Sequence, residues 1–564
     1  MKVVIIGGVA GGATAAARLR RLNEEAQIII LERGGYISYA NCGLPYYIGG
    51  EITEKNALTL QTPQSFFARF RIDVRVKNEA VQILPDEKKV IVRRLDDGSE
   101  YEETYDKLIL SPGAKPVKPP LPGIDGKRIF TLRSVEDTFL LDEFIKRERP
   151  KRAVVIGGGF IGLEMAENLK NLGLEITVVE RLNQVMTPLD YDMACSVHGY
   201  LQKKGIRLLR SKAVTGFEEQ EHGISTLLEA GEAVEADLVV LAIGVAPETA
   251  LAEKAGLELG ARGSIVVNDR METSVPDIYA VGDAVELVHY VSGRKTLIPL
   301  AGPANKQGRI AADNICGGDS HFRGAQGTSV LKLFDMTVAA TGLNEAAAKA
   351  AEIPFDKVVT FSPNHATYYP GASNMTIKTL FDPGSGKILG AQIVGFDGVD
   401  KRIDVLATAI RAEMTAADLE ELELAYAPPF SSAKDPVNMA GFVIGNILAG
   451  RVKQYHWHDL KSLPNDGSVI RLDVRTDAEY QAGHMEGTVH IPVDVLREHL
   501  GELDRSKPIY VNCQSGLRSY IACRILAQHG YDCYNFSGGY RFYQLIEHDG
   551  GFDEAPAYPC GVKL

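Results

Sequence analysis

The sequence predicts an α/β chain with two Rossmann-like dinucleotide-binding units. Two observations carry this: a strand, glycine turn and small-residue helix open the chain, and the same pattern returns near residue 152. The first unit is KVVII, a continuous apolar strand over Lys2–Ile6, followed by GGVAGG and the helix ATAAARLRRL. A strand, turn and helix in this order aim backbone N–H groups and a helix N-terminus at a pyrophosphate. Gly7, Gly8, Gly11 and Gly12 form the turn, with Val9 where GxGxxG has its middle glycine. The next strand, QIIILER, ends in Glu32, placed to accept hydrogen bonds from an adenosine ribose. The second unit, RAVVIGGGFIGLEMAENLKNLG, carries the unbroken fingerprint at Gly157, Gly159 and Gly162, and its next strand, EITVVER, ends in Glu180. Two units imply two dinucleotides. Glu180 would repel a 2'-phosphate and favours NADH, while Arg181 beside it keeps NADPH admissible.

Length and charge exclude several functions. At 564 residues the chain is too long for one core, and about three or four domains are expected. With 61 basic against 73 acidic residues, net −12, it is not expected to bind nucleic acid. MKVVIIGG runs straight into a strand and leaves no room for a signal peptide, and no apolar run is long enough for a bilayer. The expectation is a cytoplasmic protein without a membrane partner. Seven scattered cysteines, an odd number, agree with a reducing compartment.

The stretch SYANCGLPYY, Ser38 to Tyr47, places Cys42 shortly after the first dinucleotide unit. The next cysteine is Cys195, so Cys42 has no local disulfide partner and must work with a thiol from outside. Further on, TSVPDIYAVGDAV (Thr273 to Val285) resembles the flavin-binding signature of the pyridine nucleotide-disulfide oxidoreductases. The resemblance implies that Asp283 hydrogen-bonds the ribityl chain of FAD, so that the first unit holds FAD and the second NADH. LILSPGAKP and VVLAIGVAPET look like that family's crossovers between nucleotide domains. The implied arrangement is an FAD-binding domain at 1–112 and 245–322, an NADH-binding domain at 113–244 and an α+β dimerisation domain at 323–446. A linker follows at 447–455.

The single cysteine points to coenzyme A disulfide reductases, NADH oxidases and NADH peroxidases within this family. Peroxidases carry a histidine in the first glycine loop where this chain has Ala10, which favours a thiol substrate. HATYYPGA and AYAPPFSSAKDP hold Tyr368 and Tyr426, which match paired tyrosines of coenzyme A disulfide reductases. The resemblance makes these tyrosines general acids reaching the partner subunit's cysteine in a homodimer. It also places Arg18 and Arg21, three apart on one helix face, near coenzyme A phosphates, with Ser38, Asn41 and Thr62 along the arm.

The last hundred or so residues resemble a rhodanese, through LDVRT, GHMEGTVHIP and the CQSGLRS loop that Cys513 opens. This α/β domain is expected over 456–564. Loop amides and a helix N-terminus there form a nest that lowers a thiol's pKa and stabilises a persulfide, with Arg518 adding positive charge. Asp473 and Arg475 read as structural. Gln514 replaces a frequent arginine and Tyr540 a frequent tryptophan, making free thiosulfate a poor donor. Cys195, Cys316, Cys523, Cys533 and Cys560 read as packing or surface thiols. No metal is expected. The expected activity is an FAD-dependent, NADH-oxidising reductase of coenzyme A persulfide, polysulfide or coenzyme A disulfide. Its rivals are an NADH oxidase reducing oxygen, and a sulfur carrier or redox sensor.

Overall fold

The computed structural model describes residues 1–548. They form two units, one of residues 1–185 with 205–327, the other of 186–204 with the residues from 328 onward.

The first unit contains two five-stranded parallel sheets. One runs in the order Ile278–Ala280, Lys107–Leu110, Lys2–Ile6, Gln27–Glu32, Asp73–Val76. A parallel sheet is covered on both faces, so its central strands must be apolar throughout, and alternate residues go to opposite sides. Val3 and Ile5 join Ala15, Ala16 and Leu19 in one core, whereas Val4 and Ile6 join Leu108, Val90 and Val92 in the other. Helix Ala10–Leu22 lies against helix Ala301–Ile315 so closely that a Cβ on Gly308 would collide with the Gly11 carbonyl. The other sheet repeats the plan with Ile129–Phe130, Leu238–Leu241, Arg152–Ile156, Glu175–Val179 and Arg207–Leu209. The two crossover segments pair with each other as antiparallel strands, Ala114–Pro116 against Val245–Pro247.

The second unit holds a five-stranded antiparallel sheet, Ser329–Leu333, Met336–Gly342, Ile388–Gly395, Asn374–Phe381 and Asp356–Pro363. Helices Val399–Arg411 and Pro436–Leu448 pack on it. Its interior contains Lys378, 0 % exposed, whose ammonium bonds Asp192 at 2.7 and 2.8 Å, Glu345 at 2.6 Å and Asp190 at 3.0 Å. The same unit contains a parallel sheet in the order Lys453–Tyr455, Cys533–Phe536, Ile509–Asn512, Ile470–Asp473, Val489–His490. Lys453–Tyr455 lies within the span read as a linker but forms the edge strand of this sheet. Side chains of the two sheets meet directly: Ser537 Oγ accepts from the Val359 amide at 3.2 Å, and Gln454 donates to the Lys357 carbonyl at 2.8 Å. Among the described residues no helix is long and apolar enough to cross a membrane.

Candidate active site

The two glycine turns have the geometry of nucleotide cradles. Gly7 (φ +98°) and Gly157 (φ +105°) lie in the left-handed region, open to glycine and costly for other residues. A Cβ on Gly12 would collide with the Gly7 carbonyl, and one on Gly162 with the Gly157 carbonyl, so both helices sit tight against their strands. A Cβ on Gly159 would meet nothing, leaving the backbone there open to approach. Helices Ala10–Leu22 and Phe160–Asn171 start without a side-chain cap or an acidic first turn, whereas Ser134, Thr415 and Thr476 cap helices elsewhere. Uncapped N–H groups at a positive helix end suit a pyrophosphate.

Both acidic strand ends are held in the same way. Glu32 accepts from the Gly8 amide at 2.9 Å and the Gly34 amide at 2.8 Å; Glu180 accepts from the Gly158 amide at 2.7 Å and the Leu182 amide at 2.8 Å. Asp283 follows strand Ile278–Ala280, its carboxyl pushed up by burial against the opposing pull of Arg133. The neighbouring Gly282 amide donates to Gln307 Oε1 at 2.8 Å, which leaves the buried Gln307 Nε2 without a partner among the described residues. The turns, the bare helix ends and this unused donor fit an FAD in the first unit and a nicotinamide dinucleotide in the second.

Cys42 is the one exposed cysteine among the described residues; Cys195, Cys513, Cys523 and Cys533 are buried and Cys316 half-buried. Cys560 lies outside the described residues. Cys42 stands in the short helical turn Asn41–Gly43 that leads into helix Leu44–Ile48. Its thiol is pushed up by desolvation and by the charges of Glu164 and Asp283. The Ser38 amide donates to the Gly8 carbonyl at 2.8 Å, tying the cysteine segment to the first glycine turn. Strand Ile37–Tyr39 pairs with Thr59–Gln61 and so brings Ser38 and Thr62 into one neighbourhood with Asn41. The Thr62 hydroxyl caps helix Pro63–Phe70. Arg18 donates to Asp313 at 2.6 Å, an acidic partner that the spacing of Arg18 and Arg21 gave no sign of; Arg21 is exposed.

In the second unit the two predicted tyrosines meet, Tyr368 Oη lying 2.9 Å from Tyr426 Oη with the rings 75 % and 48 % exposed. Their loops are joined from below by buried Arg402, which donates to the Asn364 carbonyl at 2.9 Å, Ser431 Oγ at 3.0 Å and Asp435 Oδ2 at 2.9 Å. Nothing in the two tyrosine motifs points to Arg402.

Cys513 directly follows strand Ile509–Asn512 and precedes helix Leu517–Gln528. Its Sγ accepts from the Gly516 amide at 3.1 Å and from the Ser519 hydroxyl at 3.3 Å. Arg518 forms a two-pronged pair with Glu479, 2.7 Å on each side, which offsets its charge. Asp473 and Arg475 make a buried pair at 2.7 Å, and the Arg475 guanidinium lies 3.9 Å from the Tyr540 ring centre, in keeping with a structural role.

Comparison with known proteins agrees with this geometry. Residues 1–308 match the family model for pyridine nucleotide-disulphide oxidoreductases, 328–436 that family's dimerisation domain and 456–545 the rhodanese-like domain. A coenzyme A disulfide reductase of Staphylococcus aureus (strain JH9) is 36 % identical over 442 residues, 78 % of this chain and 99 % of its own. An NADH oxidase of Methanocaldococcus jannaschii is 36 % identical over 442 residues, 78 % of this chain and 98 % of its own. Among solved structures, reduced Bacillus anthracis CoADR-RHD superposes with a TM-score of 0.95 at 49 % identity, covering 97 % of this chain and 98 % of the other. An NAD-dependent persulfide reductase from A. fulgidus gives a TM-score of 0.90 at 41 % identity, covering 96 % and 100 %. On the fold, the paired glycine cradles and these matches, the chain belongs to the pyridine nucleotide-disulphide oxidoreductase family and is an oxidoreductase with a dimerisation domain and a rhodanese-like domain.

Proposed function

We propose that this enzyme is an FAD-dependent reductase that uses NADH to reduce coenzyme A persulfide, polysulfide or coenzyme A disulfide in the cytoplasm. It works as a homodimer in which the Cys42 site is completed by Tyr368 and Tyr426 of the partner subunit. The observation that carries the reading is Cys42, the single exposed thiol among the described residues, held to the first glycine turn through Ser38 and far in sequence from any second cysteine.

FAD is assigned to residues 1–112 and 245–322, held by Gly7, Gly8, Gly11, Gly12, Glu32 and Asp283. NADH is assigned to 113–244, held by Gly157, Gly159, Gly162 and Glu180. Bound FAD supplies a two-electron carrier between nicotinamide and sulfur. The chain's own work is thiol chemistry. The Cys42 thiolate attacks the inner sulfur of coenzyme A persulfide; the S–S bond breaks, hydrosulfide leaves and a Cys42–coenzyme A disulfide forms. With coenzyme A disulfide the same attack releases one coenzyme A thiolate. Two electrons from NADH return the mixed disulfide to thiolates. Arg18, Arg21, Ser38, Asn41 and Thr62 hold the coenzyme A, and Tyr368 and Tyr426 of the partner subunit give a proton to the departing thiolate. Cys513 holds sulfane sulfur as a persulfide, stabilised by the Gly516 amide and the Ser519 hydroxyl, for collection by the pantetheine thiol.

The similarity to an NADH oxidase supports a second reading, oxygen reduction with Cys42 passing through a sulfenic acid. The deciding experiment is NADH consumption by the coenzyme A-free enzyme, under nitrogen with coenzyme A persulfide or disulfide, and in air without either. Faster turnover on the sulfur acceptors supports the reductase; faster turnover on oxygen supports the oxidase. No steady turnover with any acceptor would leave a sulfur carrier or redox sensor.

A further inference from the structure

Strands Asp356–Pro363 and Asn374–Phe381 stay paired as far as Pro363 and Asn374, so residues 364–373 form the loop that joins them, with Tyr368 inside it. Tyr426 lies in a second loop, between helix Ala416–Glu421 and helix Pro436–Leu448. With 75 % and 48 % of their surfaces exposed, the two tyrosines are not enclosed by packing within this chain. The 2.9 Å contact between their hydroxyls is therefore set by the backbone of the two loops.

Arg402, near the start of helix Val399–Arg411, is 1 % exposed and reaches both loops. Its Nη2 donates to the Asn364 carbonyl at 2.9 Å in the first loop, and to Ser431 Oγ at 3.0 Å and the Phe430 carbonyl at 3.4 Å in the second. Asn364 Oδ1 closes the first loop by accepting from the amides of His365 at 3.0 Å and Ser373 at 2.9 Å. Within that loop the Tyr369 amide donates to the Ala366 carbonyl at 3.0 Å, in the turn that holds Tyr368. In the second loop the Phe430 and Ser431 amides donate to the Ala427 carbonyl at 2.9 and 3.1 Å, next to Tyr426. The loops also meet directly, the Ala366 amide donating to the Ser431 carbonyl at 3.0 Å. Hydrogen bonds thus lead from one guanidinium into the turn that carries each tyrosine.

Asp435 is the counter-ion, accepting from Arg402 Nε at 3.2 Å and Nη2 at 2.9 Å while it caps helix Pro436–Leu448. A buried ion pair is weak evidence for stability, because desolvation offsets the attraction and apolar side chains can fill the same space without loss. What apolar side chains cannot do is hold two loops by their carbonyls. The planar fork of arginine points its five donors in fixed directions, which lysine does not copy. The seat is also tight, for a Cβ on Gly398 would collide with Arg402 Nη1.

We propose that Arg402 is a positioning residue for the proton-donating pair: its guanidinium sets the separation of the Tyr368 and Tyr426 hydroxyls. The role rests on the reading of these tyrosines as general acids. Arg402 acts through the loops, and no bond is made or broken at it.

The test is a mutant cycle on full-length holoenzyme, reading anaerobic NADH oxidation with coenzyme A disulfide, FAD content and melting temperature. Arg402→Lys and Arg402→Met/Asp435→Asn are each made in wild type and in a Tyr368→Phe/Tyr426→Phe background. Asparagine keeps the helix cap and leaves no unpaired buried charge. In wild type, either change is expected to lower kcat about tenfold, with FAD content and the KM for NADH unchanged. In the phenylalanine background the further loss should be less than about twofold. Unchanged kcat in wild type overturns the proposal. An equal loss in the two backgrounds also overturns it, since that marks a residue acting through the fold as a whole. Either Arg402 change decides the matter if the other fails to fold. Wild-type turnover by Tyr368→Phe/Tyr426→Phe would instead remove the reading of the tyrosines, and the proposal with it.

Discussion

The hydroxyls of Tyr368 and Tyr426, 58 residues apart in sequence, lie 2.9 Å from each other on exposed rings. An exposed phenol pair gains little stability from its hydrogen bond, and in the proposed mechanism the pair acts on the departing thiolate. Each hydroxyl supports the other: one donates, and the acceptor keeps its own proton free to give away. Replacing Tyr368 or Tyr426 with Phe is expected to lower kcat about tenfold to a hundredfold, with FAD content and melting temperature unchanged. The double variant should lose less than the product of the single losses, because the two act as one unit.

Glu180 spends its carboxylate on the amides of Gly158 and Leu182, which fixes it at the strand end where a ribose would sit. Glu180→Ala should narrow the preference for NADH over NADPH by about tenfold or more, the scale of one hydrogen bond to a charged group. The ratio of kcat/KM for the two nucleotides measures this, and the flavin spectrum should not move.

The buried Lys378 ammonium holds Asp190, Asp192 and Glu345 together. Removing one partner of such a cluster leaves uncompensated buried charge, and Lys378→Met is expected to cost about 3–5 kcal/mol in calorimetry or denaturant unfolding. Burial alone would raise Glu345, but Lys378 and Lys357 outweigh it and hold the carboxyl at about 2. A folded-state value below the unfolded one stabilises the protein above the ordinary glutamate range, and that contribution fades as pH falls from about 4.3 towards 2. Unfolding midpoints measured across this window should therefore drop in wild type and change less in Glu345→Gln.

Cys513 has its own amide and hydroxyl donors in the loop before helix Leu517–Gln528. Cys513→Ser should abolish transfer of sulfane sulfur to cyanide while NADH oxidation with added coenzyme A persulfide continues at close to the wild-type rate. A parallel loss of both activities would mean that every substrate enters through Cys513.

What the sequence made legible was local. Glycines that must avoid a Cβ, a strand that must be apolar on both faces, and an acid at a strand end leave marks at fixed spacings, and Gly7, Gly157, Glu32 and Glu180 stand where those marks implied. Tyr368 and Tyr426 were legible through family resemblance, and the structure places them together. What escaped was set by contacts between distant segments. Asp313 on Arg18, Glu479 on Arg518, Arg402 beneath the tyrosine loops and Asn168 against Gly49 have no spacing signature, because helix packing and strand order choose those partners. The edge strand Lys453–Tyr455 escaped because three residues are too few to show an alternation.

The central claim is that Cys42 carries the chemistry, and the most direct measurement is anaerobic NADH oxidation by wild type and Cys42→Ser with coenzyme A persulfide or coenzyme A disulfide as acceptor. The account predicts that Cys42→Ser keeps its FAD and still binds NADH, yet turns over either acceptor at least about a hundredfold more slowly. NADH oxidation by Cys42→Ser at the wild-type rate with either acceptor would contradict it.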